Sequence, residues 1–287
     1  AGTTLTETCD LKNKHGLTNE ARITIQSEKY FPTSGVIPTA DSATATTLRD
    51  AALASAVLGN DYFNGCWVFI VHGTGTDNGF VPITDYVDTT GDVVVASWPG
   101  TQPDNTSRYL IVGALIDGGS ARNDGINIVS CTVSTDLRGV GCKDVLRYSL
   151  SIAYSGIINC NYDGVYNIYY SGVYCSRTIL PYLSYCGIVK CNTSDTSTHG
   201  GIKAVSANQL HVRFCGISDN NKRGIYVTEG SFASTPYNFG DGNGTWGIYC
   251  EKSGQAAIVA PECSGSSGNH SDPGTAGTAS ADQASAY

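Results

Sequence analysis

Nine carboxylates lie between residues 124 and 251: Asp124, Asp136, Asp144, Asp163, Asp195, Asp219, Glu229, Asp241 and Glu251. Two pairs share one spacing, Asp219 with Asp241 and Glu229 with Glu251, each 22 apart. A pair of carboxyl groups on one face is the equipment of glycosidic-bond cleavage, one as acid and the other as base or nucleophile. In a chain that coils on itself with a period close to that spacing, each pair would stack at about 5 Å, the spacing of adjacent strands. The competing reading is a turn role, since Asp163-Gly164 and Asp241-Gly242 are turn dipeptides. No His or Lys is spaced to tune these carboxyls. Catalysis is therefore not expected, and these four residues are its candidates if it occurs.

Tyrosine forms the second constellation, with nine of 17 between Tyr148 and Tyr185. Tyr162, Tyr166, Tyr169, Tyr170, Tyr174, Tyr182 and Tyr185 are the candidate binding or interface residues. Flat rings with a polar tip suit a subunit interface, local packing or stacking against sugar rings, and all three uses stay open. Five scattered histidines show no H-x-x-x-H spacing, so neither a metal nor a Ser/His system is expected. Asp241-Gly242-Asn243-Gly244-Thr245 begins like a calcium loop, but Lys252 stands where the bidentate Glu would be. Gly73-Thr74-Gly75 lacks the Lys of a phosphate cradle. No cofactor is expected.

The elements that would position these groups are announced by glycine. Gly141, Gly164 and Gly187 are 23 apart, as are Gly201, Gly224 and Gly247, and Val or Ile follows each of the last five. A fixed period in the twenties is the mark of a solenoid whose coils bury their apolar faces against one another. It suits one turn of a parallel β-helix, with three short strands and bends between them. Val165, Ile188, Ile202, Ile225 and Ile248 should point inward at equivalent positions, with one register shift where Gly187 and Gly201 are only 14 apart. The 34 glycines and the low charged fraction of 15% agree with many short strands and turns.

Eleven cysteines, an odd number with no C-x-x-C, read as buried thiols stacked in a ladder more readily than as a disulfide framework. The net charge of −8 and the lack of a Lys/Arg cluster speak against nucleic acid. Apolar runs such as Cys66–Val71 are strand-sized, so no membrane span is expected. The chain begins at Ala1 without Met and is expected to be processed or part of a longer product.

Four regions follow: an N-terminal arm with a strand at 1–35, a small β-module at 36–114, a right-handed parallel β-helix of about six coils at 115–262, and a low-complexity tail or linker at 263–287. Within the module, strands are expected at Trp67–Val71, Phe80–Tyr86, Val93–Ser97 and Tyr109–Ala114, after a short helix around Ala51–Ala56. Its motifs run Tyr62-Phe63-Asn64-Gly65-Cys66-Trp67-Val68, Gly73-Thr74-Gly75, Ile83-Thr84-Asp85-Tyr86, Val93-Val94-Val95, Trp98-Pro99 and Asp104-Asn105-Thr106-Ser107-Arg108-Tyr109. In order and spacing they resemble a small β-module of tailed-phage structural proteins. Two departures are Asn78-Gly79 in place of Gly-Gln and Cys66 in place of Met. The solenoid half resembles, in architecture, the β-helices of tailspikes, tail fibres and pectate-lyase-like proteins.

What the resemblance implies is a virion structural protein, tail-fibre or tailspike-like. It would form a rigid oligomer, a homotrimer or filament, with itself and other virion proteins as partners and host surface glycan as a further one. Its place would be the virion or otherwise outside the cell. The alternatives are a polysaccharide depolymerase and a self-assembling filament or adhesin subunit.

Overall fold

The computed structural model describes residues 3–5, 9–12, 22–32, 35–131, 134–155, 157–161, 163–195, 198–207, 209–259, 262–265, 268–271 and 278–282. The chain is all-β, with one five-residue helix, Ala51–Ser55, and one short 3-10 turn among the described residues. Three parallel eight-stranded sheets form the solenoid. From residue 114 to 259 the chain makes six coils, each with one strand in every sheet. Sheet I there contains Ala114–Asp117, Val140–Lys143, Gly164–Ile168, Gly187–Cys191, Gly216–Ser218 and Phe239–Asn243. Sheet II contains Asp124–Val129, Tyr148–Ala153, Ser171–Ser176, Ile202–Val205, Arg223–Thr228 and Trp246–Cys250. Sheet III contains Ser134–Arg138, Ile157–Asn161, Leu180–Ser184, Leu210–Arg213, Phe232–Pro236 and Gln255–Val259.

The same sheets continue at both ends. Thr3–Leu5, Cys9–Lys12 and Arg22–Gln26, inside the stretch read as an arm, pair in parallel with the first strands of sheets I, II and III. Glu262–Gly265, Gly268–Ser271 and Thr278–Asp282 pair with the last ones. Strands so poor in large apolar residues still join because a parallel ladder is held by backbone groups, which every sequence supplies. The antiparallel module thus sits in the chain between one coil and the next. Its seven strands run in the order Tyr30–Phe31, Arg108–Val112, Trp67–His72, Phe80–Val87, Asp92–Val95, Thr47–Arg49, Ser42–Ala43.

Coil geometry follows from three corners, one after each strand. A residue with positive φ near 50–65° turns the chain at each: Asn167 and Lys190 at the end of, and Asp144 and Asp219 just after, the sheet I strands; Ser130, Tyr154, Arg177, Ser206 and Glu229 after sheet II; Gly139, Tyr185, Phe214 and Tyr237 after sheet III. Such backbone costs a non-glycine residue about 1–2 kcal/mol. The next residue points inward, and its own N–H must find an acceptor inside an apolar tube. The side chain one coil further along provides it. Asp163 accepts from Val140 at 2.9 Å, Asn238 from Cys215 at 3.0 Å, Asn220 from Cys191 at 2.9 Å and Ser231 from Ala207 at 2.9 Å. Asn238 and Asn243 use the amide twice, donating also to Val212 O and Ile217 O.

Val165, Ile188, Ile202, Ile225 and Ile248 are all buried in one core cluster, as expected, but not at one equivalent position. Two glycine ladders exist. Gly141, Gly164, Gly187 and Gly216 stack in sheet I. Gly201 immediately precedes the sheet II strand Ile202–Val205, and the register of that sheet places Gly172, Gly201, Gly224 and Gly247 in one column. The short gap between Gly187 and Gly201 is the step from one sheet to the next. The true irregularity is an enlarged coil, seen where Gly187 faces Gly216, Val173 faces Ile202 and Leu183 faces Val212, each pair 29 apart. The extra length enlarges the loop between Cys191 and Ile202.

The sheet I ladder is bare for a reason outside the solenoid. The module lies on it, and a Cβ on Gly141 or Gly164 would come within 2.7 or 2.8 Å of Phe80, and one on Gly187 within 2.2 Å of Val71. Phe69, Val71, Phe80, Leu110, Val112, Leu115, Val189 and Phe239 form the shared core. Nine cysteines among the described residues are buried thiols, seven of them the expected set Cys131, Cys142, Cys160, Cys175, Cys186, Cys191 and Cys215. Burial pushes the Cys142 and Cys175 thiols up to about 12, so these are unreactive core groups.

Gly187→Ala should lower stability by about 1–3 kcal/mol through overpacking, and Val71→Ala in the same chain should recover part of it in a thermal-denaturation double-mutant cycle. Additive losses would mean that the module does not rest on this ladder.

Asp163 is buried beside an interior cavity of about 30 Å³, room for one water, and its Oδ2 has no partner among the described residues. Burial raises its pKa to about 7, so the native state holds a proton that the unfolded chain has released above about pH 4. Its contribution to stability is therefore lost as pH rises from about 4 to 7. Asp163→Asn keeps the bond to Val140 and can donate to Leu137 O, as Asn238 does to Val212 O. In urea titrations it should flatten that slope and exceed the parent by about 1–3 kcal/mol at pH 8; an unchanged slope would refute the assignment.

Candidate functional site

Strand alternation sends every second side chain of sheet II outward. In register, Asn127, Ser151, Tyr174, Lys203, Tyr226 and Tyr249 make one column on the outer side of sheet II over six coils, in which Ser151 and Tyr226 are covered by their neighbours. Tyr148 stacks on Tyr174 at 4.4 Å and 9°. Lys203 Nζ lies 6.0 Å from the Tyr174 ring and 5.5 Å from the Tyr226 ring. The Arg223 guanidinium lies 4.5 Å from Tyr226 and 3.8 Å from Tyr249. Rings and cations thus alternate along the face.

A groove of about 420 Å³ opens here, floored by Tyr174, Lys203 and Tyr226. Arg177, Glu229 and Lys252 line its side, all corner residues with positive φ. Arg177 also donates to the Tyr154 hydroxyl and lies over that ring at 5.2 Å. Three cations therefore meet one carboxylate, on a chain whose net charge is −8. Burial lowers the Lys203 pKa, against the pull of Glu229. Outside the groove, Glu251 accepts the Tyr226 hydroxyl and lies 3.9 Å from Lys252.

The enlarged loop stands beside this face and contributes Thr198 to the groove. Asp195 pairs with Lys222 at 2.9 Å. His199 stacks on Tyr170 at 4.7 Å and 11°, with Nδ1 3.1 Å from Ser171 Oγ. Burial, with Lys203 nearby, lowers its pKa to about 4, so at neutral pH it is an uncharged ring.

The candidate tyrosines are distributed over several faces. Tyr174 floors the groove, and Tyr169 and Tyr170 touch each other beside the enlarged loop, 5.1 Å apart. Tyr166 lies under the module, near Phe69 and donating to Asp77 O at 3.0 Å. Tyr182 stacks on His211 on sheet III, and Tyr185 on Phe214 at the corner after that sheet. Tyr162 lies outside the described residues. Lys203, Tyr226, Tyr249 and Arg223 were missed from sequence, although Tyr226 and Tyr249 themselves carry the glycine period, 23 apart.

The carboxylate pairs do not stack, because the coil period is 23 and they are 22 apart. Gly216 opposite Phe239 puts Asp219 opposite Gly242, and a Cβ on Gly242 would lie 2.1 Å from Asp219 Oδ1. Asp241 is exposed, with Oδ1 3.5 Å from His72 Nδ1 of the module. Val227 opposite Cys250 puts Glu229 opposite Lys252, and Glu251 one residue out of step. Among the described residues Glu229 is therefore the one carboxylate lining the groove, where acid–base cleavage needs two. Asn243 of the calcium-like stretch is buried and spent on Asn220 and Ile217. Among the described residues no cluster of His, Cys, Asp or Glu could hold a metal, and no helix is long and apolar enough to cross a membrane. No protein-family model matches the chain, and neither a curated protein nor a solved structure matches it.

Proposed function

We propose that this chain is a rigid display element of the tail-fibre or tailspike kind, which holds an acidic glycan along the outer groove of sheet II without cleaving it. The observation that carries the reading is the column of Tyr174, Lys203 and Tyr226 with Arg177 and Lys252 at its side. The partly exposed Tyr174 ring offers flat apolar area to the face of a sugar ring, whereas Tyr226, 2% exposed and held between Lys203 and Arg223, supports the cations beside it. The cation surplus suits carboxylates or sulfates on the same chain. Consecutive rungs at strand spacing hold these groups rigidly, so little ordering entropy is lost on binding. The lone Glu229 favours recognition over hydrolysis. The module's resemblance to phage structural modules supports a place on a virion, or otherwise outside the cell. Assembly with further copies, as a homotrimer or filament, or with other virion proteins, belongs to the same reading. Ile157 and Ile179, 43% and 60% exposed near the half-exposed Tyr154, are the apolar surface it would use.

Calorimetry with a uronate tetrasaccharide from alginate, against neutral maltotetraose, tests the reading. The uronate should bind and the neutral sugar should bind at least about tenfold more weakly. Tyr174→Ala and Lys203→Gln should each cost about tenfold, or about 1.4 kcal/mol. Equal affinity for the two sugars would sink the acidic-glycan reading. Reducing ends released by the parent protein, and lost in Glu229→Gln, would replace recognition with depolymerisation.

A further inference from the structure

A second cleft, of about 330 Å³, lies between the module and the corner after sheet III. Its walls are the segment 36–39, Phe214, Tyr237 and Phe239, and among the described residues its only charged lining residue is Arg108. The half-buried Arg108 guanidinium sits 4.2 Å from the Phe239 ring. Among the described residues no carboxylate pairs with it. Both walls are fixed. Thr39 bridges Arg108 and Tyr109 N donates to Pro38 O at 3.2 Å. Across the cleft, Phe214 stacks on Tyr237 at 5.2 Å and 8°.

A half-buried guanidinium among apolar side chains keeps part of its desolvation cost until an acceptor reaches it. Stacking on Phe239 supplies a cation–π contact but leaves the edge donors of the fork unmet by a carboxylate. A carboxylate meets them two at a time. The volume is at the lower end of small-molecule sites, and the place, between two packed units, is where such sites concentrate. We infer that this cleft is a binding site for a small organic monoanion with an apolar ring, the carboxylate on Arg108 and the ring between Ile37 and Tyr237. It does not depend on the glycan reading, because it shares no residue with the sheet II groove.

The probe is 1-naphthoate, compared with its uncharged amide by calorimetry on the full chain. One saturable site is expected, with the amide at least about tenfold weaker. Arg108→Gln should weaken naphthoate by about tenfold or more and leave the amide nearly unchanged, while Arg108→Lys should recover part of the loss. Tyr237→Ala should weaken both ligands. Circular dichroism and melting confirm that each variant is folded. Lys203→Gln, in the other groove, should change nothing. No saturable binding, equal affinity for acid and amide, or a loss on Lys203→Gln instead of Arg108→Gln would each overturn the assignment.

Discussion

Each coil has to turn three times before its strands repeat, and each turn delivers a backbone N–H into an interior with no water to receive it. The rest of the solenoid depends on how that donor is met. The solution repeats at all three corners: a residue in left-handed conformation, then an inward side chain that serves the coil before it. Asp163, Asn220, Asn238, Asn243 and Ser231 are buried polar residues that would be liabilities elsewhere. Here each satisfies a donor that would cost about 1–3 kcal/mol if left unmet. Because the acceptor comes from the next coil, the bonds also fix the register between coils. A slip of one residue would break them and turn every outward side chain inward.

Fixed register is what turns sequence spacing into surface. Positions 23 apart, or 29 across the enlarged coil, become neighbours at strand spacing, and positions 22 apart do not. Tyr174, Lys203, Tyr226 and Tyr249 therefore stand in one column, whereas Asp219 and Asp241 are one residue out of register. The corner residues project outward for the same reason, so Arg177, Glu229 and Lys252 gather at one edge of the groove. The enlarged coil adds a loop at that edge without disturbing the rungs on either side.

The module uses the same regularity from outside. Four glycines in register leave a smooth track on sheet I, and Phe69, Val71 and Phe80 settle into it. None of the four has positive φ; they are glycines because the module's side chains occupy the space a Cβ would take. The docked module also forms one wall of the second cleft, where the segment 36–39 meets the corner rings.

Sequence alone determined the fold class, because a fixed period in Gly-Val/Ile leaves few architectures that bury an apolar face. It also determined four of the module's seven strands to within a residue or two: Trp67–His72 and Phe80–Val87 are legible from alternation and turn residues, whereas the two- and three-residue strands Tyr30–Phe31, Ser42–Ala43 and Thr47–Arg49 are too short to show a period. Buried cysteines followed from their apolar neighbours. The tertiary structure decided which glycines stack together, since two ladders on different sheets share one period. It decided that the outer ladder is bare to receive the module, a contact between segments far apart in sequence that no local pattern records. It also decided the sites. A groove made of single residues from successive coils, such as Tyr174, Lys203 and Tyr226, has no local signature, because its members become neighbours only when the corner hydrogen bonds set the register.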